Sequence, residues 1–485
     1  MDLQKKYEAI IGLEVHAQLL TKTKAYSSDE NIYGAKPNTK TSPVTLGLPG
    51  TLPFSNSKVV EYAVKLGIAV NAKIRAKNEY ARKNYFYADL PKGYQITQDT
   101  TPICNGGFID IMDKNGSKKS INITRIHMEE DAGKSIHDVD PFNTLIDLNR
   151  AGVPLLEIVS EPEIRNSDEA YQYINEIRKL LRYLEICDGN MEEGSLRCDA
   201  NISVRKKNST ILGTKVEVKN MNSTRNVRRA IDYEIKRQIS ILEKGEKIIH
   251  ETRNFNATKN ITTSMRHKEE ANDYRYFPEP DLQPIMISKE YIKKIKKHLP
   301  PLPNKLLKDF TEKFGLSKYD ASLLIDEKEI ALYYYELCSH TKNYKLAANF
   351  INGIVKSFLN ENAININEFQ ISPIRLASLI NIVENRKISN TIATSKVFPE
   401  MLKNNDSAEN IAINNNWIQE SSSDTLIVFI QKAISKYPEK VKEYQLGKKG
   451  LIGLFMGEVM KLSKGKADPK LANQLLKTEL EKKIE

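Results

Sequence analysis

Cysteine is scarce in this sequence of 485 residues. The four that occur are widely spaced and form no CxxC pair: Cys104, Cys187, Cys198 and Cys338. This pattern indicates neither a zinc finger nor a disulfide framework, because both need cysteines at defined spacings. We therefore predict reduced thiols and a cytoplasmic localisation.

Long apolar runs and several familiar motifs are also missing. No run is long enough to span a bilayer, and no secretory apolar region follows the first residues, so we predict no membrane partner. The sequence contains no Walker A loop, no GxGxxG after a strand and no GxSxG elbow. No cysteine lies in a recognisable nucleophile context. If the chain makes amides, it has no evident means of releasing ammonia from glutamine.

The bulk composition is that of a soluble globular protein with a basic balance. Hydrophobic residues make up 40% of the chain and the mean hydropathy is -0.48. The length is sufficient for about two to four domains. The net charge of +11 and the pI of about 9.1 favour a polyanionic partner, although a lysine-rich genome composition would give the same values.

Secondary-structure patterns divide the chain at a lysine-rich segment. Strands mix with a few helices over residues 7–284, and the clearest helices cover 168–185 and the segment after Ser223. Lysines and prolines crowd residues 289–308, which is typical of a domain boundary. Only helical patterns follow, with an asparagine-rich break at 404–416. We predict an α+β protein with domains at 1–290, 291–415 and 416–485.

Four predicted strands each carry their polar residues on a single face. Successive side chains of a strand point to opposite faces, so Glu14 and His16 share one face while Leu13 and Val15 share the other. The same alternation applies to the strands near residues 127, 157 and 200. The polar side chains selected in this way are Glu14, His16, Arg125, His127, Glu129, Glu157, Arg197, Asp199 and Asn201.

Carboxylates and imidazole on one rigid surface suit a divalent cation that holds phosphate oxygens. Crowded carboxylates repel one another unless a cation or a proton lies among them. We therefore predict a Mg²⁺ or Mn²⁺ site formed by Glu14, His16, Glu129 and Glu157. His127 is either an outer partner of this site or a structural residue. A solvated sheet face is the ordinary alternative, but such faces favour Lys, Thr and Ser.

Other segments suit the binding of a substrate. The aromatic-rich loop at 84–94 is either a set of core aromatics under a turn or a platform for a base or ribose. Lys219 and Asn220 end a predicted strand and suit a phosphate or a carboxylate. Arg275 and Glu279 flank prolines in a segment that is either a simple turn or a rigid substrate loop.

Long, specific stretches carry a resemblance to one family. They cover residues 11–16, 82–87, 90–96, 127–134, 191–201 and 273–280. On these stretches the chain resembles the B subunit of the tRNA-dependent amidotransferases, GatB, over essentially its whole length. Its last portion, at 447–469, is similar to the YqeY-like tail of that family.

The resemblance implies a fold and a reaction. The fold would be a glutamine-synthetase-like mixed-sheet cradle, followed by an all-α helical domain and an α-helical YqeY-like tail. The reaction would convert Glu-tRNA(Gln), Asp-tRNA(Asn) or both to the amide forms: ATP phosphorylates the side-chain carboxylate and ammonia displaces phosphate. The implied cofactors are ATP and Mg²⁺. The implied partners are an amidase-type A subunit that supplies ammonia through a channel, a small C subunit and misacylated tRNA.

Together, the strand pattern and the resemblance assign roles to individual residues. We predict catalytic roles for Glu129, Arg197, Asp199 and Lys219. We predict ATP or substrate binding by Asn84, Tyr85, Arg125, Asn201, Asn220, Arg275 and Glu279. In the tail, where lysines cluster beside glycine and proline, we predict contacts with the tRNA backbone by Lys448, Lys449, Lys461 and Lys464. The ordinary alternative there is a solvated lysine-rich face.

The chain departs from some members of the family at one loop. Those members carry two cysteine pairs that bind zinc, whereas the matching positions here are Ser27, Asp29, Ser42 and Thr45. Hydroxyls are poor zinc ligands and one carboxylate is not enough, so no zinc is expected.

Two rival functions remain. One is a glutamine-synthetase-like ligase that acts on a free small molecule, which the basic linker and tail argue against. The other is a tRNA-binding scaffold without chemistry of its own, which the polar strand faces argue against. A test of whether ATP is hydrolysed only with misacylated tRNA present separates them.

Overall fold

The computed structural model describes residues 6–112, 116–267, 274–418, 423–463 and 465–481. The chain divides into two compact units, Met1–Leu302 and Pro303–Glu485. In the part that the structure describes, no helix is both long and apolar enough to cross a membrane.

The first unit is built on a mixed β-sheet. The described strands of this unit, including those of smaller sheets, are, in chain order, β1 (Tyr7–Gln18), β2 (Lys73–Ile74), β3 (Lys77–Asn78), β4 (Ala81–Asn84), β5 (Tyr94–Thr97), β6 (Cys104–Asn105), β7 (Phe108–Met112), β8 (Lys118–Glu130), β9 (Lys134–Ile136), β10 (Leu145–Asp147), β11 (Pro154–Ser160), β12 (Leu196–Lys206), β13 (Val216–Lys219), β14 (Glu251–Asn256), β15 (Ile261–His267), β16 (Phe277–Pro278) and β17 (Ile285–Met286).

The long strands lie together at the centre of the largest sheet. Its order is β15-β14-β13-β12-β1-β11-β8-β6-β2, and β7 pairs with β8. β13 and β14 pair in parallel, whereas β1 pairs with β11 and β12 in antiparallel fashion. The central strand β1 is therefore bonded along both edges, which fixes the register of its polar side chains.

One face of this sheet is buried by helices. They are α1 (Ser57–Ala69), α2 (Ser167–Tyr183), α3 (Thr224–Glu243) and α4 (Lys289–Lys297). Their apolar residues join a single buried cluster with Leu13, Val15 and Ala17 of β1. Each large apolar side chain buried there contributes about 1.5–3 kcal/mol. The opposite face is left to the polar side chains, as the alternation in β1 predicts.

The two helices predicted from apolar spacing are confirmed. α2 begins after Asn166, whose side chain accepts a hydrogen bond from the backbone N–H of Glu169. α3 begins after Ser223, which accepts one from the backbone N–H of Asn226. Such caps satisfy N–H groups that the first helical turn leaves without a partner.

The lysine-rich segment belongs to the first unit up to Leu302. Ile295 of α4 is buried in the same apolar cluster as the sheet, and Ile292, Leu299 and Leu302 pack against that cluster. The observed division lies beyond the predicted boundary at 290 because these apolar residues follow it.

The second unit is helical throughout its described part. Its α-helices are α5 (Pro303–Lys308), α6 (Lys318–Leu324), α7 (Lys328–Leu337), α8 (Tyr344–Phe350), α9 (Lys356–Asn362), α10 (Pro373–Glu384), α11 (Asn390–Ile392), α12 (Phe398–Lys403), α13 (Ala408–Asn414), α14 (Ser423–Lys436), α15 (Pro438–Gln445), α16 (Ile452–Leu462) and α17 (Pro469–Glu481). Buried residues of α14 to α17, from Leu426 to Leu480, form a cluster of their own. A mixed sheet followed by helices confirms the predicted α+β class.

Candidate active site

The polar residues of four strands meet on the face of the central sheet opposite the helices. In the pairing of β1 with its neighbours, His16 lies opposite Glu157 of β11 and Arg197 of β12. Glu157 in turn lies opposite His127 of β8. These pairings form one row of ionisable side chains across four strands, because residues opposite each other in a sheet share a face.

Three of the four predicted metal ligands come together. Nε2 of His16 lies 3.4 Å from Oε1 of Glu129 and 3.3 Å from Oε2 of Glu157. One ligand atom from each of these residues lies within 4.8 Å of the others, a spacing that a single ion can bridge. The two carboxylates suit Mg²⁺ or Mn²⁺, and the mixed set of one imidazole and two carboxylates does not select between them.

A second imidazole completes this cluster. Nε2 of His127 lies 3.1 Å from Oε2 of Glu157 and 3.7 Å from Oε2 of Glu129. The residue is buried, and its Nδ1 atom has no hydrogen-bond partner among the residues described. The sequence left His127 open as an outer partner of the site or a structural residue, and in the structure its Nε2 atom contacts both carboxylates directly.

Burial and neighbouring charges shift the pKa values of His127 and Glu157 in the cluster. Burial acts to lower the pKa of His127, but the charge of Glu157 and the hydrogen bond to Glu129 outweigh it and raise the pKa to about 9. Burial acts to raise the pKa of Glu157, yet His127 and His16 hold it well below the usual carboxyl value. Without a bound cation, imidazolium charge therefore offsets the carboxylates.

Glu14, the fourth predicted ligand, lies beside this group. Its Oε1 accepts a hydrogen bond of 2.7 Å from Nδ2 of Asn201. Burial raises the pKa of Glu14, and the nearby charges of Glu157 and Asp199 raise it further. Glu14 and Asn201 thus extend the polar face from the cluster along β1 and β12.

Arg197 and Lys219 reach the site as members of ion pairs. Nη2 of Arg197 lies 2.6 Å from Oδ2 of Asp131, which also accepts a 2.9 Å hydrogen bond from Nε2 of Gln18. Nζ of Lys219 lies 2.6 Å from Oδ2 of Asp199 and 3.0 Å from Glu217. The charges of Asp131, Glu129 and Asp199 raise the pKa of Arg197 although burial opposes them. Both cations are held in place before any substrate binds.

An aromatic wall borders the carboxylates on the β4 side. The rings of Tyr85 and Tyr274 lie 6.2 Å apart, and those of Tyr274 and Tyr276 lie 5.9 Å apart. Nζ of Lys83 lies 4.7 Å from the centre of the Tyr274 ring. Burial acts to lower the pKa of Lys83, but the charge of Glu129 together with those of Tyr276, Tyr274 and Glu157 outweighs it and raises the pKa.

Two of the other residues predicted to bind substrate, Asn84 and Glu279, form contacts with other parts of the protein. Asn84 donates to the backbone oxygens of Tyr274 and Arg275 and so fastens the aromatic wall. Glu279 is buried in a two-point ion pair with Arg82. The side chain of Arg125 has a buried Nε atom without a hydrogen-bond partner in the described ranges. Asn220 and Arg275 have positive φ angles of 66° and 45°.

The predicted tRNA contacts in the tail differ in their surroundings. Lys448 lies 3.1 Å from Glu443, and Lys449 lies 3.7 Å from Glu481 and over the Tyr444 ring. Lys461 is exposed and forms no ion pair with a described residue. Lys464 lies outside the described residues.

Comparison with known proteins assigns the chain to a family. A family profile described as the GatB/GatE catalytic domain matches residues 9–293, and one described as a GatB domain matches residues 332–480. The chain belongs to the GatB family.

Relatives of this GatB chain are similar over nearly their whole length. The B subunit of the aspartyl/glutamyl-tRNA(Asn/Gln) amidotransferase of Thermodesulfovibrio yellowstonii is 49% identical over 97% of this chain and 98% of the relative. The B subunit of the same enzyme from Caldicellulosiruptor bescii is 46% identical over 98% of this chain and 100% of the relative. That of Rickettsia felis is 46% identical over 98% of both chains.

The sequence reasoning missed two charged residues of this GatB site. Asp131 continues the alternation of His127 and Glu129 by one further step, so the same period could have identified it. Lys83 lies in the four-residue strand β4, which is too short for a pattern. Its proximity to Glu129 follows from the tertiary fold alone.

Proposed function

We propose that this chain is the nucleotide-using subunit of an amidotransferase that converts Glu-tRNA(Gln), Asp-tRNA(Asn) or both to Gln-tRNA(Gln) and Asn-tRNA(Asn). The observation that carries the proposal is the cluster of His16, Glu129 and Glu157, flanked by Arg197 and Lys219, in a chain nearly half identical to proteins of that name. The cytoplasm is the proposed location.

The proposed reaction has two steps. A side-chain carboxylate oxygen of the amino acid on the tRNA attacks the γ-phosphorus of ATP, and the bond to ADP breaks. The nitrogen of ammonia then attacks the acyl carbon, the carbon–oxygen bond to phosphate breaks, and the nitrogen loses a proton. Magnesium or manganese held by His16, Glu129 and Glu157 would offset phosphate charge in the first step.

The chain's own side chains support this chemistry through charge and position. Arg197 and Lys219 offer fixed cations to the carboxylate and phosphate oxygens, and Asp131 and Asp199 hold those cations in place. The aromatic wall offers flat surfaces to a nucleoside. Placement of the reactants between fixed charges is the main requirement of phosphoryl transfer.

We propose that the ammonia comes from another subunit. All four cysteines are buried, and burial raises the pKa of Cys104, Cys187 and Cys338 to about 12. Burial raises the pKa of Cys198 further still. A thiol nucleophile for glutamine hydrolysis is therefore not available. This supports an amidase-type A subunit as the donor. The small C subunit and the glutamine-synthetase-like cradle are proposed from the family resemblance.

The test measures ATP cleavage by the chain assembled with its partner subunits. We expect ATP cleavage only with misacylated tRNA, and at least about a hundredfold loss in Glu129→Gln and Glu157→Gln. Glu8→Gln is the matched control, because Glu8 lies on β1 in ion pairs with Arg165 and Arg205, away from the cluster.

Each rival function predicts a different result. A ligase for a free small molecule would cleave ATP with glutamate and ammonia in the absence of tRNA. A scaffold would give Glu129→Gln and Glu157→Gln variants with unchanged activity. Either result would overturn the proposal.

A further inference from the structure

The polar face of the central sheet continues beyond β12 onto β13 and β14. Glu217 of β13 lies opposite Asn201 of β12, and Thr252 of β14 lies opposite Glu217. Residues opposite each other in a sheet share a face, and Asn201 shares its face with Glu14, to which it donates a hydrogen bond. Thr252 therefore lies on the face of the candidate active site, although β14 is the third strand from β1.

The carboxylate of Glu217 connects Thr252 to a cation of the site. Oγ1 of Thr252 donates a hydrogen bond of 2.8 Å to Oε2 of Glu217. Oε1 of the same carboxylate lies 3.0 Å from Nζ of Lys219. Because the two oxygens belong to one planar group, the hydroxyl that holds Oε2 also sets where Oε1 meets the ammonium.

The hydrogen bond between Thr252 and Glu217 is buried and rigidly placed. Only 2% of Thr252 and 8% of Glu217 are exposed, so water has little access to replace the hydroxyl. β14 is bonded along both edges, to β13 in parallel and to β15 in antiparallel fashion. Threonine is also restricted in its rotation about χ1. The hydroxyl is therefore held at a fixed point before any substrate binds.

Lys219 needs partners of this kind to keep a defined position. Its ammonium is a point charge on a flexible stem, so its place is set by the groups around it. Asp199 holds it at 2.6 Å and Glu217 at 3.0 Å. A rotation of the Glu217 carboxylate would move Oε1 away and shift the ammonium towards Asp199. A displacement of about 1 Å at a reacting centre can cost a large factor in rate.

A second buried threonine makes the same kind of contact on the other face of the sheet. Oγ1 of Thr262 on β15 donates a hydrogen bond of 3.0 Å to Oε2 of Glu234. Glu234 is completely buried on α3, which covers the face opposite Lys219. Thr262 thus supports the packing of a helix, and it provides a matched comparison for Thr252.

We propose that Thr252 is a positioning residue of the amidotransferase site, whose hydroxyl fixes the carboxylate of Glu217 and through it the ammonium of Lys219. Thr252 itself contacts no reacting group. This inference rests on the proposed function and deepens it, because Lys219 is one of the cations proposed to face the carboxylate and phosphate oxygens.

Three substitutions at this position separate the hydroxyl from the methyl group. Thr252→Val replaces the hydroxyl by a methyl group of similar size, and Thr252→Ser keeps the hydroxyl and removes the methyl group. Thr252→Ala removes both without placing an apolar group beside the carboxylate, so the hydroxyl can still be tested if the valine variant does not fold. Thr262→Val is the control, since it removes the same kind of hydrogen bond from the helical face.

The kinetic measurement uses the assembled enzyme at saturating ATP and misacylated tRNA. We expect kcat for amide formation to fall about tenfold in Thr252→Val and Thr252→Ala, and to stay within about twofold of the parent in Thr252→Ser. The KM values for ATP and tRNA should stay within about twofold, because the hydroxyl contacts neither substrate. A fall in Thr252→Ser as large as that in Thr252→Val would overturn the proposal.

The control distinguishes positioning from folding. Thr252→Val and Thr262→Val should both lower Tm, since each removes a donor from a buried carboxylate. Thr262→Val should nevertheless keep the kcat of the parent at temperatures well below its Tm. An unchanged kcat in Thr252→Val, or an equal fall in the two valine variants, would show that Thr252 has only a structural role.

A double-mutant cycle tests whether Thr252 acts through Glu217. Glu217→Gln should lower kcat by itself, and the addition of Thr252→Val should then lower it by less than about twofold, because the carboxylate that the hydroxyl holds is gone. A further loss of about tenfold in the double variant would overturn the route through Glu217.

Failure of the proposed function would give a different result. The parent enzyme would then form no amide on misacylated tRNA. Failure of this inference alone leaves the parent active and Thr252→Val as active as the parent.

Discussion

At the scale of single residues, the site combines charges that would be unfavourable alone. Glu129 and Glu157 are both buried. The imidazoles of His16, on β1, and His127, on β8, lie 3.1–3.7 Å from the carboxylate oxygens of both residues. Isolated buried carboxylates would take up protons rather than stay charged. The charges of His127 and His16 instead hold the pKa of Glu157 well below the usual carboxyl value, so its ionised form is favoured before any ligand binds.

For a buried lysine elsewhere in the first unit, burial outweighs the neighbouring charges in setting the pKa. Lys24 is completely buried, and its Nζ donates to the backbone oxygens of Lys40 at 2.7 Å and Leu148 at 3.4 Å. Burial lowers the pKa of Lys24 to about 8, although the charges of Asp29 and Glu130 oppose the shift.

This lowered pKa predicts a dependence of stability on pH. Between about pH 8 and about pH 10.5 the unfolded chain binds more protons at Lys24 than the folded chain, so folded stability rises with pH over that window. The free energy of unfolding of the parent, relative to that of Lys24→Met, should rise by about 1.4 kcal/mol as the pH rises by one within the window, because the variant lacks this titration. Melting temperatures at about pH 7.5 and about pH 10 measure it.

Lys22→Met is the control for this experiment, because Lys22 is exposed and only two positions away. Its difference from the parent protein should not change with pH. A difference between Lys24→Met and the parent that stays constant over the window would contradict the prediction.

The residue scale also shows how far a sequence alone leads. The alternation of strand residues predicted that Glu14 and His16 share a face, and the structure confirms it. It could not predict that Arg197 pairs with Asp131 or that Lys83 approaches Glu129, because these contacts join segments that are distant in the chain. Burial of Glu279 beside Arg82 likewise follows from the pairing of β4 with β16.

At the scale of elements, the loop between β1 and α1 is held by one carboxylate. Oδ2 of Asp29 accepts hydrogen bonds from the hydroxyls of Ser27 and Ser42 at 3.0 Å, from the backbone N–H of Ser42 at 3.0 Å, and from the Thr45 hydroxyl. The family resemblance implies that zinc-binding members place cysteine at these four positions. Here the carboxylate of Asp29 joins the segments at residues 27 and 42–45 by hydrogen bonds.

This arrangement predicts what a single substitution does to the loop. Asp29→Asn replaces a charged acceptor by a neutral amide and should weaken the loop by about 1–3 kcal/mol, because hydrogen bonds to a charged group are the stronger kind. Hydrogen exchange of peptides from residues 26–50 should become faster, while exchange in α2 and α3 stays at the parent rate.

Glu30→Gln is the control, since Glu30 is the next residue and, among the described residues, its carboxylate forms an ion pair with Lys40 alone, at the surface. Metal analysis of the parent protein completes the experiment, and we expect no stoichiometric zinc. Zinc that survives dialysis against a weak chelator, or unchanged exchange in Asp29→Asn, would contradict this account of the loop.

Helices were easier to predict than loops. Apolar spacing and a capping residue identified α2 and α3 because both signals are local. The hydrogen bonds around Asp29 span residues 27 to 45, and no periodic pattern records them. The sequence indicated only which positions lacked cysteine.

At the scale of the whole molecule, the lysines of the tail are of two kinds. Lys436 lies 2.6 Å from Glu458, whereas Lys461 and Lys470 form no ion pair within the described part of the chain. Unpaired lysines on the surface of a separate apolar cluster are available to phosphates, while paired ones are largely neutralised.

Removal of the tail should therefore separate tRNA binding from chemistry. The helices α14 to α17 have their own apolar cluster, so a chain that ends at residue 418 should keep the site of the first unit. We expect weaker tRNA binding with a smaller dependence on salt, and unchanged ATP cleavage at saturating tRNA. In the full chain, Lys461→Ala and Lys470→Ala should each reduce the slope of log affinity against log salt by about one, whereas Lys436→Ala should not. If the lysine-rich face is only solvated, the shortened chain will bind tRNA as tightly as the parent and the three point variants will be alike.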